Sequence, residues 1–424
     1  MMRGKEMSGG VVDSFRHWGS KAIAPTVSAR PYWWILPLLI YTIFRAINVL
    51  MISLASQSEV IPASQDLESL GYFVTKAGPA PPGYLTTVTN WDGQWYWQIA
   101  EYGYPDRLPR NSSGQVIQNE FAFFPLFPIL ARALMSASGL SFPIVATTMS
   151  ILLGAVCTLL LYRIVLRNQS DTLGALIAAT CLSAFTCAPV FLIAYTDPLA
   201  LTFVLLILAA VLRRKLAWAA LLLMALAFTR NIVAAFAFFF AVLALIEWRR
   251  RRGQQRFVGY MLLSAWSASL TLAWPTVVAL KTGEAGAYLV SQQAWVTDIA
   301  LIAPMRFIQR YADVLGGPLT ATVLAIAWIA LVLRLVTIGQ PDTTLRMWSL
   351  TYSAYILMAT NWSPNGLRYY LLALPVCWPL ATTELSSRRA RVAGTAALAL
   401  LGLLTQWWWI RYVLTHSVEG MSIP

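Results

Sequence analysis

A chain of 424 residues that is 58% hydrophobic, 12% charged and +0.62 in mean hydropathy carries more apolar surface than a soluble core of this size can bury. The excess must face lipid, which excludes a string of soluble domains and predicts one all-α polytopic membrane protein. The formal charge of +13 does not point to nucleic acid, because the basic residues cluster between apolar runs and alternate with stretches that have few of them.

A basic leader, residues 1–32, carries Arg3, Lys5, Arg16, Lys21 and Arg30 ahead of a first span from Trp33 to about Ala55. That span is too long for a signal peptide, lacks a small-residue cleavage site, and is expected to stay as an anchor. Further spans are predicted near residues 143–166, 172–192, 198–212, 216–229, 231–248, 258–280, 318–338, 347–361, 369–384 and 393–412. They make about eleven transmembrane helices in a multispan domain over residues 33–412.

With the N-terminus cytoplasmic, every inner connection is basic. These connections contain Arg163 and Arg167, Arg213 to Lys215, Arg249 to Arg252 with Arg256, Arg346, and Arg388, Arg389 and Arg391. The extracytoplasmic segments are then a large first loop at 56–142, the turn Tyr195 to Asp197, the residues around Arg230, a second loop at 281–317, the turn 362–368 and a tail at 413–424. The five segments before the tail can converge on one face.

The first outer loop contains the Pro/Gly-rich stretch Ala77 to Gly83 and then turns aromatic. Residues Asn90 to Gly103 predict a short interfacial helix with Thr89 or Asn90 as N-cap, Gly103 near the C-cap and Pro105 as the stop. A second apolar segment, Phe121 to about Leu134, carries Pro125 and Pro128 in its first turns and reads as a re-entrant or surface-lying helix. The alternative, another spanning helix, would invert everything downstream, against the arginine pattern.

Asp92 is the leading candidate for chemistry. It sits in the first turn of the aromatic helix, where backbone amides favour a carboxylate, and Trp91, Trp95, Tyr96 and Trp97 suit packing against a sugar or an isoprenoid chain. The structural alternative is a helix-terminal charge among interfacial belt aromatics. Glu101, Asp197 and Arg230 are further charges at outer helix ends, although Asp197 before Pro198 can equally be a helix start. Arg230 and Arg368 lie outside against the general charge bias, and a guanidinium fork suits a lipid-linked phosphate. Arg306 and Arg310, in the amphipathic stretch after Thr297, are weaker candidates of the same kind, with contact to lipid headgroups as the alternative.

Cys157, Cys181, Cys187 and Cys377 lie in or beside apolar runs without metal-type spacing, and His17 and His416 lie near the termini, so no metal site and no cofactor are expected. No Gly-rich phosphate loop and no soluble nucleotide-sugar domain stand in the chain, so a membrane-dissolved donor is the simpler inference.

The motif Trp91-Asp92-Gly93, followed by Ile99-Ala100-Glu101-Tyr102-Gly103-Tyr104 and then Ala122-Phe123-Phe124-Pro125-Leu126-Phe127-Pro128, resembles the PIG-V family, the second GPI mannosyltransferase and its bacterial relatives. Weaker similarity runs through Tyr195-Thr196-Asp197, Phe228-Thr229-Arg230-Asn231 and the pair Arg368-Tyr369. The resemblance implies a C-type glycosyltransferase fold. It also implies a polyprenyl- or dolichyl-phosphate sugar donor, mannose as the sugar, and an inverting displacement.

On that reading Asp92 is the general base, Glu101 orients the acceptor or Asp92, and Arg230 and Arg368 bind the donor phosphate. Trp91, Trp95, Tyr96, Asp197 and Tyr369 complete the substrate site. Gly93 stands where the family often has alanine, and Asp197 where it typically has glutamate. Few lysines among many alanines, arginines and tryptophans point to a high-GC bacterium, hence a plasma-membrane enzyme with a glycolipid or glycan acceptor and contacts to membrane lipids. From other functional classes, the sequence admits a transporter or flippase of a lipid-linked saccharide, or a non-catalytic subunit of a glycan assembly complex. It shows no internal repeat of the kind transporters carry.

Overall fold

The computed structural model describes residues 32–59, 83–169, 171–250, 254–295, 303–337, 342–360, 362–373 and 387–415. The leader, most of the Pro/Gly-rich stretch, much of the span expected at 369–384, Thr297, Cys377, both histidines and most of the tail lie outside those residues.

The described chain is mainly helical, with irregular connections between the helices and one isolated bridge, Arg110 to Val116. In order the helices are α1 (Ile35–Ser56), α2 (Asp92–Tyr102), α3 (Leu126–Ser138), α4 (Phe142–Gln169), α5 (Thr172–Ser183), α6 (Asp197–Leu212), α7 (Leu216–Ala227) and α8 (Val233–Arg250). They continue as α9 (Gln254–Leu270), α10 (Ala273–Thr282), α11 (Ala287–Gln293), α12 (Ala303–Tyr311), α13 (Pro318–Thr337), α14 (Thr343–Ala359), α15 (Tyr369–Ala373) and α16 (Arg388–Trp409).

Five stretches are long and apolar enough to cross a membrane: Ile35–Ser56, Phe142–Asn168, Gln254–Thr282, Pro318–Leu335 and Arg388–Leu414. Only about a fifth to two fifths of each is buried inside the protein, and the exposed faces carry Leu, Ile, Val and Trp side chains that have no place in water. The protein is therefore a multipass membrane protein. Thr172–Ser183, Asp197–Leu212 and Leu216–Ala227 are apolar but shorter, and α6 is almost entirely buried, at the centre of the bundle against α4 and α7. The surface-lying helix expected at Phe121 to Leu134 is a 3-10 turn, Glu120–Ala122, followed by α3, whose 13 residues reach only about 20 Å.

The span expected at 172–192 does not run as one helix. After α5 ends at Ser183 the chain passes through a 3-10 turn at Ala188–Leu192 and an extended stretch to Thr196. Carbonyls freed by such a break need partners at membrane depth, since water cannot supply them. Arg45 of α1 donates to Ser183 O at 2.9 Å and to Ala188 O, with its guanidinium over the rings of Tyr41 and Phe191. Gln406 of α16 donates from Nε2 to Ser183 O at 3.0 Å and to Phe185 O at 2.9 Å, and accepts from Asn48 Nδ2 at 2.8 Å. Two long spans thus hold open a bend that leads directly to Asp197.

Candidate active site

All five segments expected on one side of the membrane line a single cavity of about 350 Å³. Asp92 and Tyr96 enter it from α2, Phe123 from the α2–α3 connection, Thr196 from the broken segment, and Arg230 and Asn231 from the turn between α7 and α8. Tyr288, Gln292 and Trp295 come from the second outer loop, Arg306 from α12, and Arg368 and Tyr369 from the turn after α14.

The presentation of Asp92 is built locally. Trp91 takes φ +55° and ψ −118°, a conformation that a bulky L residue adopts only when its surroundings enforce it. Its indole Nε1 donates to Leu414 O at 2.9 Å, which points the ring away from the cavity. The N-cap is Trp91 itself. Thr89 and Asn90, expected to cap the helix, are occupied elsewhere: the Thr89 hydroxyl returns to Leu85 O and Thr86 O, and Asn90 Nδ2 donates to Glu59 Oε1 at 2.6 Å and to Leu414 O at 3.3 Å. Glu59, 3% exposed, also accepts from Thr87 Oγ1 at 2.5 Å. A carboxylate at the end of α1 and a carbonyl past the end of α16 therefore fix the turn that aims Asp92. Gly103, at φ +83°, ends α2 as expected.

Four charges form the core of the site. Arg368 donates from Nη2 to Asp92 Oδ2 at 2.5 Å and from Nη1 to Asp197 Oδ2 at 3.5 Å, while Arg230 Nη1 lies 2.6 Å from Asp197 Oδ1. Asp197 is fully buried and Arg368 nearly so, but a quarter of the Asp92 side chain stays exposed to the cavity. Burial opposes the charge on Arg368, yet Asp92, Tyr369 and Asp197 hold its guanidinium above its ordinary value. The same opposition, won by Asp197, operates at Arg230. Both arginines are therefore cations despite their burial. Tyr369 lies between them, its ring centroid 4.6 Å from the Arg230 guanidinium and 5.3 Å from that of Arg368, and Tyr195 faces Arg368 at 4.7 Å. Tyr96 shares a hydrogen bond of 3.3 Å with Thr196, and burial pushes its hydroxyl well above the usual phenol range.

Of the residues expected from sequence, the structure brings together Asp92, Tyr96, Asp197, Arg230, Arg368 and Tyr369. Trp95 is buried behind the cavity, stacked on Phe123 at 5.6 Å and edge-on to Trp295 at 5.1 Å. Trp91 supports the site from outside. Glu101 is not in the group: it is exposed, its carboxylate accepts from Trp97 Nε1 at 3.3 Å, and its carbonyl receives Arg132 Nη2 at 2.7 Å. It stands nine residues from Asp92, about two and a half turns on, which puts it on the opposite face of the helix. Of the two weaker candidates, Arg306 lines the cavity, while Arg310 on the same helix is exposed.

Sequence reasoning missed Glu59, whose only signal is an acid closing an apolar span, and the wall formed by Tyr288, Gln292 and Trp295. Among the described residues no group of three or more His, Cys, Asp or Glu side chains is placed to hold a metal ion. Cys157, Cys181 and Cys187 are buried and unpaired as disulfides.

No protein-family model and no curated protein matches the chain. Among solved structures it is similar to the oligosaccharyltransferase of Archaeoglobus fulgidus. The form with zinc and sulfate matches at 15% identity and a TM-score of 0.44, covering 90% of this chain and 54% of that one. The form tethered to an acceptor peptide with the NVT sequon matches at 15% identity and a TM-score of 0.43, covering 92% and 56%. The complex with an inhibitory peptide and a dolichol-phosphate matches at 14% identity and 0.43, covering 91% and 56%. The chain thus spans little more than half the length of these structures. None of the three is a PIG-V protein, and that resemblance rests on the paired motifs alone.

Proposed function

We propose that this protein is a C-type glycosyltransferase of the extracytoplasmic membrane face, moving a single hexose, mannose on the PIG-V resemblance, from a polyprenyl-phosphate donor to a glycolipid or glycan acceptor. The observation that carries this reading is the Asp92–Arg368–Asp197–Arg230 cluster, a cavity-facing carboxylate joined to two buried guanidiniums at the end of a membrane bundle.

The arrangement suits an inverting single displacement. The acceptor hydroxyl oxygen forms a bond to the anomeric carbon, the bond from that carbon to the phosphate oxygen breaks with its electron pair going to the phosphate, and Asp92 accepts the hydroxyl proton. Arg368 and Arg230 stabilise the negative charge gathering on the leaving phosphate. A phosphate that draws the Arg368 fork toward itself also releases the Asp92 oxygen that Arg368 now occupies. Asp197, deeply buried, keeps both guanidiniums in place and takes no proton in this scheme. Glu101 has no part in it.

Transfer of labelled mannose from polyprenyl-phosphate mannose into membrane-lipid extracts, compared between wild type and Asp92→Asn, tests the reading. Transfer by wild type alone supports it. Sugar-lipid crossing the bilayer equally well with both, without transfer, would replace it with a transporter.

A further inference from the structure

The cavity lining mixes two chemistries. Its charged groups are Asp92, Arg230, Arg306 and Arg368. Its uncharged groups include Tyr288 and Gln292, one helical turn apart on α11, Trp295 just beyond it, and Asn231 next to Arg230. No charged group stands among these four. Gln292 is fixed by donating from Nε2 to Ala122 O at 2.9 Å, and Trp295 is fixed edge-on against Trp95 and Phe123, with centroids at 5.1 and 5.4 Å.

The indole Nε1 of Trp295 is shielded from solvent and has no hydrogen-bond partner among the described residues. A shielded donor on a cavity wall lacks the bond that such groups almost always make, and a ligand is one way to supply it. Rigid aromatic faces, fixed amides and a phenol match the apolar C–H faces and hydroxyl rim of a pyranose. The volume of about 350 Å³ lies at the small end of ligand sites, which run from about 300 to 1,000 Å³. It has room for one sugar with its phosphate.

We infer that Tyr288, Gln292, Trp295 and Asn231 form the donor-sugar subsite and hold a single hexose, with the Trp295 indole N–H donating to one of its oxygens. The inference rests on the donor reading above. Trp95 lies one turn along α2 from Asp92, so Trp295, packed on Trp95, sets the sugar beside the base while the phosphate lies on the arginines.

The test compares two probes, polyprenyl phosphate and polyprenyl-phosphate hexose, binding to the full chain in lipid nanodiscs with no acceptor present. Trp295→Phe keeps an aromatic ring while removing the donor together with the five-membered ring, and Tyr288→Phe removes only a hydroxyl. Each should weaken binding of the sugar-bearing lipid about five- to tenfold, the effect of one lost hydrogen bond, and leave binding of the bare lipid phosphate unchanged. Equal weakening of both probes, or no effect of either variant on the sugar-bearing probe, overturns the subsite. If wild type binds neither lipid, the donor reading itself falls and takes the subsite with it.

Discussion

Arg368 reaches Asp92 at 2.5 Å across 276 residues of sequence, and this pair joins two of the charged groups that line the cavity. Because Asp92 accepts from Arg368, the base is held until something competes for the guanidinium, and on our reading the donor phosphate is that competitor. Asp92→Asn is expected to keep the shape and the hydrogen bond from Arg368 while losing the ability to take a proton. Turnover should fall about 10²- to 10⁴-fold with donor affinity within a few-fold of wild type. A radiolabel transfer assay with a parallel donor-binding measurement checks both parts, and near-normal turnover would remove Asp92 from the chemistry.

Asp197 is the buried anion between two buried cations. Asp197→Asn leaves Arg230 without its counter-ion and Arg368 with Asp92 alone, and should destabilise the protein by about 3–5 kcal/mol. Adding Arg230→Met to that variant removes the unpaired charge and should recover part of the loss. Thermal unfolding in detergent micelles reads both effects. Strict additivity of the two substitutions would show that the buried charges are not coupled.

Glu59 acts on Asp92 through Asn90 and the strained Trp91. In Glu59→Leu the Asn90 amide and the Thr87 hydroxyl lose this acceptor, and the turn loses its anchor. We expect kcat to drop on the order of tenfold to a hundredfold, with KM for the donor nearly unchanged, because small displacements of a base are costly while the phosphate site is distant from this contact. A matched loss of stability with kcat intact would mark Glu59 as structural only.

Gln406 supplies two of the hydrogen bonds that hold the break after α5. Gln406→Leu strands the Phe185 carbonyl and weakens the support of Ser183, at a cost of about 2 kcal/mol. Thermal unfolding measures that cost. Turnover should fall more steeply than stability, since the loosened segment ends at Asp197.

Gly93→Ala tests a difference from the PIG-V pattern. A Cβ at this position would meet Ala194 Cβ and O at 3.6 Å, an ordinary contact. The substitution should therefore leave kcat within about twofold and stabilise α2 by roughly 0.5–1 kcal/mol. A large loss of activity would mean that backbone freedom at this position matters to the reaction.

The sequence by itself determined the lipid-facing helices, the placing of polar chemistry in the connections and the choice of Asp92, Arg230 and Arg368. Each of these depends on local composition: apolar length, charge asymmetry, and an acid inside an aromatic helix start. The opposite-face position of Glu101 also follows from helical spacing alone, yet the motif resemblance led the sequence reading to group Glu101 with Asp92.

Tertiary structure alone decided which charges share one space. The pairing of Arg368 with Asp92 and Asp197, the approach of Arg306 to the cavity and the wall made by Trp295 depend on how separate helix ends meet, and no periodicity encodes that. The break after Ser183 was invisible for a related reason. Its residues are apolar enough to read as a continuing helix, and what holds them bent is Arg45 and Gln406, which lie 138 and 223 residues away along the chain.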